Sequence, residues 1–159
     1  MCNLWFSKLS LAVKVLNRMD FIQSSEKDGR VLAEIRAAAM KSSLLALGRF
    51  DEDRVRNRFL DKFDPNNTCK ILLNDNVIGF YVVLDKVDHL YLDHLYFLPN
   101  YQGKGIGSCV ITKLKSDSKS SGKAIRLGAL RGSGSNKFYQ KHGFRKTHED
   151  EFDIYYRFI

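Results

Sequence analysis

The sequence predicts an α/β (α+β) fold, and three observations carry that reading. Its 159 residues are the length of one domain, which at this size buries roughly 68–70% of its unfolded surface. The apolar period switches between two and 3.6 along the chain, in the order strand, two helices, three strands, helix, strand, helix, two strands. A strand, a glycine-rich loop and an amphipathic helix also follow one another without a break over residues 90–116. No internal repeat or low-complexity stretch interrupts this order.

Taken in order, residues 1–18 are apolar in patches. Their uninterrupted run, 9–13, is cut by Lys14 and is too short to span a membrane or to serve as a secretory core. A short helix or extra strand is expected there. Ser25 and Asp28 form a capping-box pattern ahead of Val31, Leu32, Ile35, Ala38 and Ala39, which share one helical face, so a first helix runs toward Lys41 and as far as Leu47. Asp51 caps a second helix with Val55, Phe59, Leu60 and Phe63 as its buried stripe, stopped by Asp64, Pro65, Asn66 and Asn67. Residues 69–73 and 77–84 make a hairpin about Asn74, Asp75 and Asn76, and 85–88 turn the chain into a central strand at 90–98. Pro99, with no N–H to donate, closes that strand.

After the loop, Ile106, Val110, Ile111 and Leu114 recur on a helical face, which places the glycines on the first helical turn. Residues 116–123 read as a polar connection including Ser120, Ser121 and Gly122. Residues 124–130 form a strand and 131–134 a flexible turn. A short helix at 135–142 ends at Gly143, where a left-handed residue is wanted. The last strands are 144–148 and 152–158, the latter alternating Phe152, Ile154, Tyr156 and Phe158 on one face.

The loop has a chemical consequence. A helix start leaves four N–H groups without intrahelical partners, and no Ser, Thr or Asp directly precedes the glycines to cap them. Glycine admits close approach to the main chain, and the helix dipole favours an anion by roughly 0.3–1 kcal/mol. A phosphate suits the place, with Lys104 alongside; a tight turn with no ligand is the plain alternative. A dinucleotide fingerprint is excluded because Ser108, not glycine, stands three residues after Gly105, and a Walker loop because Lys104 is followed by Gly105.

QGKGIG at 102–107, with its Leu-Tyr-Phe-Leu-Pro lead-in, resembles the Gln/Arg-x-x-Gly-x-Gly/Ala signature of the GNAT superfamily of acetyl-CoA-dependent N-acetyltransferases. SNKFYQKHGF at 135–144 resembles its F-Y-x-x-x-G-F segment. MDFIQSS resembles the family's usual first strand, so residues 1–18 are set apart as an N-terminal extension and 19–159 as the GNAT domain. The resemblance implies a mixed, mostly antiparallel central sheet with a splayed parallel strand pair, flanked by about four helices.

It also implies site roles. The main chain of Leu95, Tyr96 and Phe97 pairs with the pantetheine arm, and Gln102, Gly103, Lys104, Gly105, Ile106, Gly107 and Ser108 wrap the coenzyme A pyrophosphate. Ser133 or Asn136 stands near where the family often places an Asn toward the cofactor, and 49–53 overhang the acceptor side. Tyr139 protonates the leaving sulfur; a phenol of ordinary pKa near ~10 is protonated at neutral pH, as an acid must be. For the base, His89, Tyr91 and Asp93 share one face of the central strand, and Asp93 is the candidate, acting directly or through water. Strand 124–130 carries no carboxylate for the family's other route. Cys109 is not needed, because direct transfer forms no acyl-enzyme.

Composition narrows the rest. Cys2, Cys69 and Cys109 are odd in number, with no C-x-x-C pair and no metal-like spacing to the histidines, which reads as a reduced, cytoplasmic protein without metal. The formal charge of +8 is spread along the chain rather than gathered in one block, so cofactor phosphates explain it more economically than nucleic acid. The leading function is acetyl transfer to a primary amine of a small molecule or peptide. A non-catalytic acyl-CoA-binding module is the alternative, and a small basic nucleic-acid-binding domain the less favoured one. No membrane partner is expected; a homodimer along the last strands is common in the family.

Overall fold

Seven strands hydrogen-bond side by side in the order β1-β2-β3-β4-β5-β7-β6. They are β1 (Met19–Gln23), β2 (Thr68–Leu73), β3 (Asn76–Asp85), β4 (His89–Phe97), β5 (Ala124–Leu130), β6 (Arg145–Glu149) and β7 (Asp153–Phe158). Among the described residues four α-helices accompany them: α1 (Gly29–Ala46), α2 (Glu52–Leu60), α3 (Ile106–Ser121) and α4 (Ser135–Lys141). This computed structural model describes residues 18–159. The helix or strand expected within 1–18 lies, Arg18 apart, outside the described residues.

The sheet is mixed, as the resemblance implied. β4 and β5 run parallel, from His89↔Ala124 to Leu92↔Leu127, whereas the β1–β2, β2–β3, β5–β7 and β6–β7 pairs are antiparallel. Parallel pairing stops at Leu92↔Leu127 although β4 continues to Phe97 and β5 to Leu130.

The chain forms two compact units. The first holds the described residues through Val82 together with His94–Ile106. Its core centres on Leu32, Phe59, Ile71, Ile78 and Phe80, all at most 2% exposed, with the Phe59 and Phe80 ring centroids 5.0 Å apart. Burial of each such side chain contributes about 1.5–3 kcal/mol. The expected caps form: Asp28 Oδ2 accepts from the Ser25 amide at 2.7 Å, with a 3₁₀ turn at Glu26–Asp28 leading into α1, and Asp51 Oδ1 accepts from the Arg54 amide at 3.0 Å. Two side chains of the expected stripes are corrected. Val31 is 53% and Leu60 37% exposed. In α1 the buried positions are Gly29, Leu32, Ala33, Ile35, Arg36, Ala37 and Leu44, so the buried face takes in an arginine. The β2–β3 hairpin turns on two residues rather than three: Asn74 (φ +51°) and Asp75 (φ +66°) adopt the left-handed conformation that such a turn requires, and Asn76 pairs with Leu73.

The second unit comprises Val83–Asp93 and Gly107–Ile159. Val110, Ile111, Leu114, Ile125, Leu127, Phe144 and Tyr156 form its core. Here the expected polar connection at 116–123 is corrected, because α3 runs on to Ser121. Ser118 is buried and donates its hydroxyl to the Lys123 carbonyl at 2.6 Å, Lys113 pairs with Asp117 one turn on at 2.7 Å, and Gly122 (φ +69°) ends the helix. The serine-rich stretch is helical, with Ser118 buried and its hydroxyl bonded to a main-chain carbonyl. Gly143 (φ +85°) ends α4 as expected.

Candidate functional site

The expected cofactor residues of the first unit lie on the end of β4 and the loop after it. β4 is held close to β3 there: a Cβ at Gly79 would stand 2.5 Å from the Tyr96 carbonyl oxygen and 2.6 Å from Phe97 Cδ1. Only glycine permits this approach without displacement. Phe97 is buried; Leu95 and Tyr96 are half-buried. Beyond them a 3₁₀ turn, Pro99–Tyr101, is followed by Gln102, whose Nε2 reaches back to donate to the Phe97 carbonyl at 3.0 Å.

Two glycines then take the left-handed conformation, Gly103 at φ +72° and Gly105 at φ +80°, and the helix starts only at Ile106. This corrects the expectation that all three glycines sit on the first helical turn; Gly107 alone does. Among the described residues, the amides of Gly103, Lys104 and Gly105 donate to no other residue. Gln102, Gly103 and Lys104 are exposed, Gly105 and Ile106 half-buried. The Lys104 Nζ stands 5.9 Å from the Tyr101 ring centroid.

In the second unit Gly107 and Ser108 occupy the first turn of α3. The Ser108 hydroxyl shares a hydrogen bond with His142 Nε2 at 3.0 Å. His142 has its pKa lowered, chiefly by burial and then by the Lys115 and Lys141 charges, so the neutral ring is favoured.

Ser133 and Asn136 are brought together, but on each other. Asn136 Nδ2 donates to the carbonyls of Leu130 (2.9 Å) and Ser133 (3.0 Å), and its Oδ1 accepts from the Tyr156 hydroxyl at 2.9 Å. Ser133 Oγ donates to the Leu130 carbonyl at 2.8 Å. Tyr139, on α4, is 7% exposed, its ring against Phe138, Phe144 and Tyr156.

Asp93 is exposed and stands one residue past the last parallel pair. Together with Asp153 it adds to burial in raising the Tyr91 pKa. Tyr155 donates to Asp150 at 2.9 Å, and that bond, with burial, pushes its own pKa up to about 12. Sequence reading passed over Asp153, which lies across from Leu130 of β5 only once the strands pair. It also passed over Arg36, whose one visible sign was a charge inside an apolar helical stripe.

Among the described residues no group of His, Cys, Asp and Glu could hold a metal ion, and no helix is long and apolar enough to cross a membrane. Residues 65–146 match the acetyltransferase (GNAT) domain family. The chain belongs to that family.

Solved structures repeat the fold. The PaiA N-acetyltransferase of Thermoplasma acidophilum, solved with coenzyme A, superposes with a TM-score of 0.74 at 20% identity over 88% of this chain and 98% of its own. Apo YjaB of Escherichia coli gives 0.72 at 16% identity, covering 89% and 98%. The ribosomal-protein-S18-alanine N-acetyltransferase of Escherichia coli gives 0.67 at 14%, covering 88% and 92%. No curated protein sequence matches the chain significantly. At these identities the likeness speaks for the GNAT architecture, and the choice of acceptor is a matter for the site's own residues.

Proposed function

We propose that this GNAT-family chain is an acetyl-CoA-dependent N-acetyltransferase that acetylates a primary amine of a small molecule or peptide by direct attack. The observation that carries the reading is the loop before α3, where two left-handed glycines flank unbonded amides directly ahead of a 16-residue helix. Residues 102–108 wrap the coenzyme A pyrophosphate, with the amides of Gly103, Lys104 and Gly105 as open donors, and the main chain of Leu95, Tyr96 and Phe97 pairs with its pantetheine arm. Both Asn136 donors already serve main-chain carbonyls, so its part, with Ser133, is to shape the turn before α4.

Bound acetyl-CoA supplies an activated thioester carbonyl. A main-chain N–H of β4 faces the oxygen that gains charge, Asp93, directly or through water, takes the proton the amine must lose, and Tyr139 gives a proton to the departing sulfur. The carbon–nitrogen bond forms first, placing charge on the carbonyl oxygen, and the carbon–sulfur bond then breaks to give an amide and free thiol. A cytoplasmic location and a homodimer along β6 and β7 belong to the same proposal; all five residues of β6, an edge strand, are exposed.

Calorimetry with acetyl-CoA and coenzyme A, followed by thiol release across a panel of amines, tests the reading. Binding plus release is expected, and Tyr139→Phe should lower turnover by about 100-fold or more while leaving cofactor affinity in place. No heat with either cofactor would overturn it. Binding without release from any amine would favour an acyl-CoA-binding module, and salt-sensitive nucleic-acid affinity indifferent to coenzyme A would favour a basic binding domain.

A further inference from the structure

The buried stripe of α1 contains a guanidinium. Arg36 is only 7% exposed, yet among the described residues no Asp or Glu pairs with it. Its Nη1 donates to the main-chain carbonyl of Val55 on α2, and its Nε is buried without a hydrogen-bond partner. The Tyr96 ring covers it, with the centroid 5.8 Å from the guanidinium carbon. Further rings complete the surroundings: Phe80 and His94 lie 5.8 and 5.6 Å from Tyr96, and Phe59 lies 5.6 Å from His94. All of these residues belong to the first unit.

A cation buried among aromatic rings has given up its hydration, and one carbonyl and one ring face return only part of it. With Nη1 occupied, the Nε–Nη2 edge remains, two parallel donors that fit the two oxygens of a carboxylate. A phosphate, at about −1.5 to −2 charges, would call for a second cation, whereas the walls here are rings and a main-chain carbonyl. We propose that the Nε–Nη2 edge of Arg36 receives a carboxylate and that the amine acetylated by this protein carries one. Tyr96, half-buried on β4, is the side chain that turns aside to admit it. The word "acetylated" rests on the function proposed above; the anion site rests on Arg36.

Two measurements separate these. In nitrogen-edited NMR of the full chain, the Arg36 Nε–H signal, assigned by its loss in Arg36→Met, is followed during titration with glycine, L-phenylalanine, L-lysine and L-glutamate and with the α-amide of each. A saturable shift with at least one acid and not with its amide is expected; no shift with any acid, or equal shifts with acid and amide, overturns the proposal. Thiol release from acetyl-CoA is then compared for each acid and amide. The wild type should prefer the acid by about tenfold or more in kcat/KM, and Arg36→Met and Arg36→Gln should abolish that preference. A preference retained in both variants overturns the proposal. A shift in a protein that binds no acetyl-CoA upholds the anion site and removes the acetyl-transfer reading instead.

Discussion

The loop after β4 and the turn after β5 both stood out in the sequence as cofactor contacts, and they are built in opposite ways. In the loop, Gly103 and Gly105 hold main-chain amides that bond to nothing in the described chain, and Gln102 ties the loop back to Phe97. In the turn, Ser133, Asn136 and Tyr156 bond to one another and to the end of β5. The first is an open set of donors, the second a closed one. A polar side chain close to a family's site therefore says little until its own hydrogen bonds are accounted for.

Substitutions can pull the two apart. The largest effect is expected at the support of the loop: Gly79→Ala forces a methyl onto the Tyr96 carbonyl and Phe97, and should lower stability in urea melts by about 3 kcal/mol while weakening acetyl-CoA binding with it. Asn136→Ala removes bonds to Leu130, Ser133 and Tyr156 and should cost about 2 kcal/mol in the same melts. Its cofactor affinity, by calorimetry, should stay near wild type; a large loss would show the closed turn to be a ligand site after all.

Gly103→Ala should do the reverse. Nothing lies within 4 Å of the added carbon, so only the strain of φ +72° acts. At about 1–1.4 kcal/mol this weakens acetyl-CoA binding about five- to tenfold if the loop must keep its conformation, with little change in folding. The smallest effect is a pH dependence. His142 has a folded pKa below its ordinary 6.5, so the unfolded chain takes up the proton first. Stability is therefore full above about pH 6.5 and falls as the pH drops from there toward the folded pKa. In thermal melts between pH 7.5 and 5, His142→Asn should flatten that part of the slope.

What the sequence made legible was mostly short in range. Ser25 with Asp28, Asp51 with Arg54, and Gly143 after α4 act within a turn of the chain, and each forms as expected. The strand–loop–helix order was also legible, because the apolar period changes at each boundary, and the family resemblance implied the mixed sheet. What was missed depends on distant partners. The helix through 116–121 carries Ser118 into a burial no local pattern announces. The hydrogen bond from Tyr156 to Asn136 spans twenty residues. Val31 turns outward, and Arg36 inward against the Val55 carbonyl and the Tyr96 ring, only because of what α2 and β4 place beside α1.

The four-residue parallel ladder between β4 and β5 bears on the order in which the chain folds. Its two sides meet only after the polypeptide has passed through the glycine loop and the whole of α3, whereas the β2–β3 hairpin closes across two residues. Contacts of such long sequence separation incur their loop-closure entropy before any reward. During refolding, the amides around Leu90 and Leu92 should gain protection against deuterium after those of the hairpin. The parallel pair of β4 and β5 would then be among the last parts of the nascent protein to mature.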